Sequence, residues 1–376
     1  GAGTSASSSL AIATGGSIAL AAGNTIGGDG ASTREPLQVW SGSGTISATA
    51  AGTDPAAGIY LDVLDTTGAV TLGGTTVSLT SGRNIDVTAV ASTTAGTGNL
   101  VVAGAVSSQN DGYVRLAADQ DVTVSGAVTA AGAGNVVVTA GLDGTGSVTQ
   151  TSAGTITSGA GEINVQAANG VTFGANTTTA GNIVVQAGDA IGQTGGTLTA
   201  QGIALEAGTI IGAAGSPINT AASTIVMQSA GDQYLSNTGN ATLAAQTTGN
   251  GSIHVTNAGV LTVGSASVLT GITVPDFTGG VTPVAPGLAL TAVTADGSGA
   301  VNLTAAGATG DIVTVATVSS GTGDVTLTAA RDVTNTATGS VVTAGAGTID
   351  VTAQTGSIAM ADGASYTTAG GDITAT

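Results

Sequence analysis

Two groupings of acids, Asp62 with Asp65 and Asp119 with Asp121, are the nearest the chain offers to the carboxylate pair of glycoside chemistry. In a strand, residues two apart share a face at about 7 Å. At that separation one carboxyl group can protonate a leaving oxygen while the other serves as base or nucleophile. The same acids equally suit a solvated corner, and little around them builds an active site. The chain has no lysine and one histidine, His254. His254 lies between Ile253 and Val255, so if those two point inward the imidazole faces solvent, and there is no second histidine to complete a metal site. No GxSxG elbow precedes a helical pattern, which leaves a serine hydrolase without support. Oxygen-rich turns at Asp111 (SSQNDG) and Asp143 (GLDGTG) are candidates for structural calcium, although neither follows a recognised calcium loop. The reading is therefore a non-enzyme with no catalytic residues, no assigned metal site and no cofactor beyond that calcium.

Large side chains are scarce, and three of them are candidate contacts for a receptor: Trp40, Tyr60 and Phe277. Aromatic anchors dominate many interfaces; the alternative is that these rings cover a flank or seal an end.

Composition narrows the partners. The formal charge is −18, from 22 acids against four arginines. Nucleic-acid binding needs a basic stripe to neutralise phosphates, and Arg34, Arg83, Arg115 and Arg331 are too scattered to make one. An anionic membrane would repel the chain, and no apolar run reaches the length of a span. Charged residues are only 7% of the chain, but the 41% that are apolar recur periodically, which argues against disorder. The acids form no run and read as solvated groups that keep a glycine-rich surface soluble. Without cysteine there is no disulfide framework. The chain opens GAGTSASSSL, with neither an initiator methionine nor a signal-like segment, and reads as a piece of something longer.

The elements that must position these residues are strands. Gly299, Gly323, Gly347 and Gly371 recur every 24 residues and open the phrases GAVNLTA, GDVTLTA, GTIDVTA and GDITAT. Upstream, Ile163, Ile183 and Ile203 are spaced by 20. Such a period is one rung of a solenoid. Its variation predicts an all-β, right-handed parallel β-helix of about three strands per coil, with coils of roughly 20–28 residues. Val, Ile and Leu should face inward at alternate positions, with small residues at the corners. At the second position of the C-terminal phrases, Ala300, Asp324, Thr348 and Asp372, no acid stacks on another, as repulsion at strand spacing would require. The TxT pairs Thr155–Thr157, Thr197–Thr199 and Thr326–Thr328 do not recur coil by coil, which disfavours an ice-binding face.

One continuous solenoid over 1–376 is expected, with two interruptions. Residues 29–66 hold Trp40, Tyr60 and two prolines and read as an excursion or extended loops; residues 264–298 hold half of the prolines and read as a second excursion.

The phrases GNIVVQAGDAIGQ, GNVVVTAG and GDVTLTAARDVTNT resemble the repeats of filamentous haemagglutinin-like large exoproteins, the two-partner-secretion adhesins of Gram-negative bacteria. The resemblance covers nearly all of the chain outside the two interruptions. It implies a right-handed β-helix, secretion to the bacterial surface and a role in adhesion, and it supplies no catalytic residues. There is no NPNG-type export signature or C-terminal barrel in the sequence. The expected function is a non-enzymatic extracellular shaft that meets a receptor or carbohydrate on a host or neighbouring cell, without nucleic acid and without membrane insertion. Two alternatives are carried. One is a filament or surface-layer subunit associating end to end through the strand edge at GGDITAT. The other is a polysaccharide-acting β-helix enzyme built on the acid pairs.

Overall fold

The computed structural model describes residues 12–14, 16–28, 36–41, 44–65, 68–74, 78–91, 98–272, 274–275, 281–282 and 284–376. Among them every regular element is a β-strand, and apart from two short antiparallel pairs the strands stack parallel and in register as a β-solenoid. The chain has two compact units, 1–161 with 272–284 and 162–271 with 285–376.

In the first unit the coils from Asn84 onward carry one longer strand and two short ones, for example Val114–Ala118, Val122–Val124 and Val128–Ala130. Val114 stands in register between Ile85 of the preceding coil and Val136 of the next. All three are fully buried. Alternation drives this choice: β-branched residues at every second position fill the interior, while Thr123 and Thr129 face out. Each inward Val, Ile or Leu contributes about 1.5–3 kcal/mol on burial.

The stretch expected to leave the stack at 29–66 is instead part of it wherever it is described. Leu37–Ser41 pairs in parallel with Gly58–Asp65, which pairs with Asn84–Ala91. Alternating residues Val39, Ile59, Leu61 and Val63 are buried and carry it into the ladder despite the neighbouring prolines. Residues 29–35 lie outside the described residues.

In the second unit the expected columns appear. Ile163, Ile183 and Ile203 are in register, and so are Val301, Val325, Ile349 and Ile373. Between paired strands outside the proline-containing coil, spacing ranges more widely than expected, from 17 residues between Ile218 and Leu235 to 31 between Ala48 and Leu79 in the first unit. The glycines explain why one phrase survives this variation. A Cβ on Gly299 would collide with the carbonyl of Gly251, one on Gly323 with that of Gly299, and one on Gly347 with that of Gly323. Side-chain hydroxyls inside the corner complete it: Thr343 Oγ1 donates to the Gly347 carbonyl at 2.8 Å, and Ser320 Oγ to that of Gly299 at 2.8 Å.

The proline-containing stretch leaves the ladder between Val263 and Val293, so one coil spans 48 residues from His254 to Asn302. Within the second unit it forms an antiparallel pair, Ala266–Leu269 with Gly287–Leu290. This pair covers a column of outward apolar residues, Val184, Ala204, Val226 and Ala244, and buries them. Asn164 at the foot of that column clamps it. Its Nδ2 donates to the Ala285 carbonyl at 2.9 Å and its Oδ1 accepts from the Ala285 amide at 3.3 Å. In the first unit, Ile272 packs on Val137 beside Tyr113 and Val284.

Candidate functional site

Three of the four acids that could have formed a catalytic pair, Asp65, Asp119 and Asp121, are engaged in holding the coils. Asp119 Oδ2 accepts the Ala91 amide at 2.7 Å, while Asp121 Oδ1 accepts the Ser147 amide at 2.8 Å. Those partners belong to the coil before and the coil after, so the two carboxylates serve opposite neighbours. Asp65 accepts from Gly68 at 2.7 Å and from Gly98 at 3.0 Å, and is fully buried. Asp62 sits on the outer face of Gly58–Asp65, in register with Thr88. The pattern continues along the molecule. Asp232 accepts from Ser252 at 2.8 Å, Asp324 from Thr348 at 2.7 Å, and Asp332 from Ser357 at 2.8 Å. Asparagines do the same, as in Asn99 to Asp121 and Asn240 to Val260. At a corner the strand ladder breaks, and a short carboxylate or amide supplies the missing acceptor. These acids, which composition suggested were merely solvated, are inter-coil hydrogen-bond acceptors.

Both calcium candidates fall into the same scheme. Asp111, in a left-handed conformation at φ 60, accepts the Ala133 amide at 2.7 Å. Asp143 accepts the Thr145 amide at 3.1 Å, and this bond together with one from Gln120 holds its carboxyl below the usual range. Among the described residues no three His, Cys, Asp or Glu side chains gather to hold a metal ion.

Of the three aromatic candidates, Trp40 is 44% exposed. Tyr60 is a correction: it is 5% exposed, donates from its hydroxyl to the Ala56 carbonyl at 2.9 Å and accepts from Asn84 at 3.1 Å. The outer face of its strand is covered, so it offers no ring to a receptor. Phe277 lies outside the described residues. Near Tyr60 in the same sheet the outward column continues through Asp86 and Arg115, a buried ion pair at 2.9 Å that Thr88 joins through a 3.0 Å bond from Arg115.

His254 is outward, as the burial of Ile253 and Val255 requires, and half-buried. It stacks on Tyr234 of the preceding coil, centroids 4.6 Å apart and planes 2° from parallel. Asn302 of the next coil stands 3.2 Å from its Nδ1. Burial pushes the imidazole below its usual range, against the opposing charge of Asp232.

Sequence reasoning missed a rail of amides on the second unit. Gln166, Gln186, Glu206, Gln228 and Gln246 stand in register on five successive coils, outward and half-buried. Gln166 Nε2 donates to Gln186 Oε1 at 3.2 Å, Gln186 Nε2 to Glu206 Oε2 at 3.0 Å, and Gln228 Nε2 to Gln246 Oε1 at 3.4 Å. The signal was the recurring tail of INVQA, IVVQA, IALEA, IVMQS and LAAQT. Unequal coils hide it from a search at fixed period. Beside the rail runs an open groove of about 320 Å³, with Gln186 and Glu206 on its wall and Ala168, Gly188 and Gly208 among its lining. Its single carboxylate accepts an amide hydrogen and has no second acid in the lining, so this groove suits binding rather than acid–base chemistry.

Comparison of the chain with protein-family models, curated proteins and solved structures gives no match.

Proposed function

We propose that this chain is a non-enzymatic structural and adhesive β-solenoid, a shaft segment of a bacterial surface exoprotein that works outside the cell. The observation carrying this reading is the use made of its acids. Residues whose type suits catalysis, Asp65, Asp119 and Asp121, accept backbone hydrogens from neighbouring coils. A fold that commits its chemistry-bearing groups to tying coil to coil is suited to carrying load and displaying surface. The repeat phrases resembling those of secreted adhesins support the same reading.

The test is to couple the purified chain to beads and measure attachment to cell and glycan-coated surfaces, with parallel incubation on neutral and acidic polysaccharides. Attachment without turnover supports the proposal. Turnover that disappears in Asp119→Ala would replace it with the enzyme reading, and continuous fibres under the electron microscope would favour the filament.

A further inference from the structure

We infer that the groove beside the Gln166–Gln186–Glu206 rail is a binding subsite for a linear, neutral glycan lying along the direction in which the coils stack. The inference rests on the adhesive reading above and names the chemistry of its partner.

Three features point to a sugar chain. The first is periodicity: rungs in a β-ladder repeat at about 4.8 Å, so adjacent amides can reach hydroxyls on one ring or on consecutive rings of a linear polymer. The second is preorganisation. Each glutamine gives one amide hydrogen to the next rung, which fixes its rotamer and leaves a second N–H and a carbonyl lone pair for a ligand. Side chains already ordered lose little entropy when they bind. The third is the lining, which apart from Gln186 and Glu206 is only alanine and glycine, so no large side chain bars a sugar ring; Gly188 and Gly208 themselves are required by coil stacking, since a Cβ there would meet the carbonyls of Ala168 and Gly188.

Other occupants fit less well. A peptide strand needs an unpaired edge, and the strands beneath the rail pair on both sides, as Asn182–Ala187 does with Ile163–Ala167 and Gly202–Ala207. A hydrophobic anchor would find only alanine and glycine below it. An acidic glycan would meet Glu206 and a chain of net charge −18.

Calorimetric titration of the full chain with cello- and chito-oligosaccharides, and with an oligogalacturonate as the acidic comparison, tests this. The neutral oligomers should bind and the acidic one should not. Ala168→Tyr fills the groove while leaving every amide and carboxylate of the rail in the sequence, and should weaken neutral-glycan binding by about tenfold or more. Gln186→Ala should do likewise, with a melting temperature checked alongside because the rail also joins coils. Neutral-glycan binding unchanged in Ala168→Tyr would overturn the inference, as would no binding of any neutral oligomer. If beads bearing Ala168→Tyr still attach to cells as the parent does, the groove inference falls while the adhesive reading stands. If the parent beads attach to nothing, the adhesive reading falls by itself, since the titration reads the groove in solution.

Discussion

Asp324 Oδ1 accepts the backbone hydrogen of Thr348 at 2.7 Å, one coil of 24 residues later, and lies 3.1 Å from the Thr348 hydroxyl. This is the local form of a rule that recurs through both units, where a side-chain oxygen in one coil caps an amide in the next. Its consequence can be measured. Asp324→Ala removes the acceptor and should cost about 1 kcal/mol, the scale of a helix N-cap or of one net hydrogen bond. Asp324→Asn keeps an oxygen in place and should cost less. Hydrogen exchange at the Thr348 amide reads the bond directly: faster in the alanine variant, close to the parent in the asparagine variant.

The glycine column makes a sharper contrast. A methyl group on Gly299 would meet the Gly251 carbonyl inside van der Waals contact, whereas one on Gly215 has nothing within 4 Å. Gly299→Ala forces two coils apart and should destabilise by about 2–4 kcal/mol, in the range of severe overpacking. Gly215→Ala should be nearly neutral. Thermal melts followed by far-ultraviolet circular dichroism separate the two, and equal melts would contradict the stacking geometry.

Parts of this architecture could be read from the sequence because they rest on residues with no substitute. Only glycine passes the crossing at Gly299, Gly323 and Gly347, so the phrase recurs even as the coils change length elsewhere. Side chains that act across coils were harder to see, since their partners lie at intervals as different as 17 residues for Thr220 with Asn237 and 33 for Asp65 with Gly98. The alternation at Ala300, Asp324, Thr348 and Asp372 keeps like charges off adjacent rungs. The structure gives a further cause: the Thr348 hydroxyl donates to Asp324 Oδ1 at 3.1 Å, which a second carboxylate in its place could not do. Tyr60 was misread for a related reason, because which outward faces are covered is a tertiary fact. Trp40, two strands earlier in the chain, is exposed while Tyr60 is sealed.

Arg115 and Asp86 form an ion pair on one of these covered outer faces, with side chains 5% and 0% exposed. Breaking such a pair by removing one partner is costly because the remaining charge stays desolvated. Arg115→Met should therefore destabilise the first unit by about 3 kcal/mol. Arg115→Met with Asp86→Asn should recover part of that loss, since the leftover charge is gone. Fluorescence of Trp40, the chain's one tryptophan, which lies in this unit, reports the unfolding transition. A double variant less stable than the single one would show that the pair is not coupled in this way.

Stability should fall in two steps as the solution is acidified. The His254 imidazole is held below its usual 6.5 by burial, so the unfolded chain takes up its proton first. Stability therefore begins to drop as pH falls through 6.5, and this loss levels off below the lower folded value. The second step belongs to the carboxylates. Asp311 is held below 3.8, chiefly by its hydrogen bond from Arg331, and Asp143 chiefly by that from the Thr145 amide. Their contribution is present above the unfolded value near 3.8 and is lost as pH falls through the lower folded values. His254→Phe keeps a ring beside Tyr234 but cannot protonate, so it should abolish the first step and leave the second. Melting temperatures of parent and variant between pH 7 and pH 2 check both signs, and a first step that survives in His254→Phe would assign it to another group.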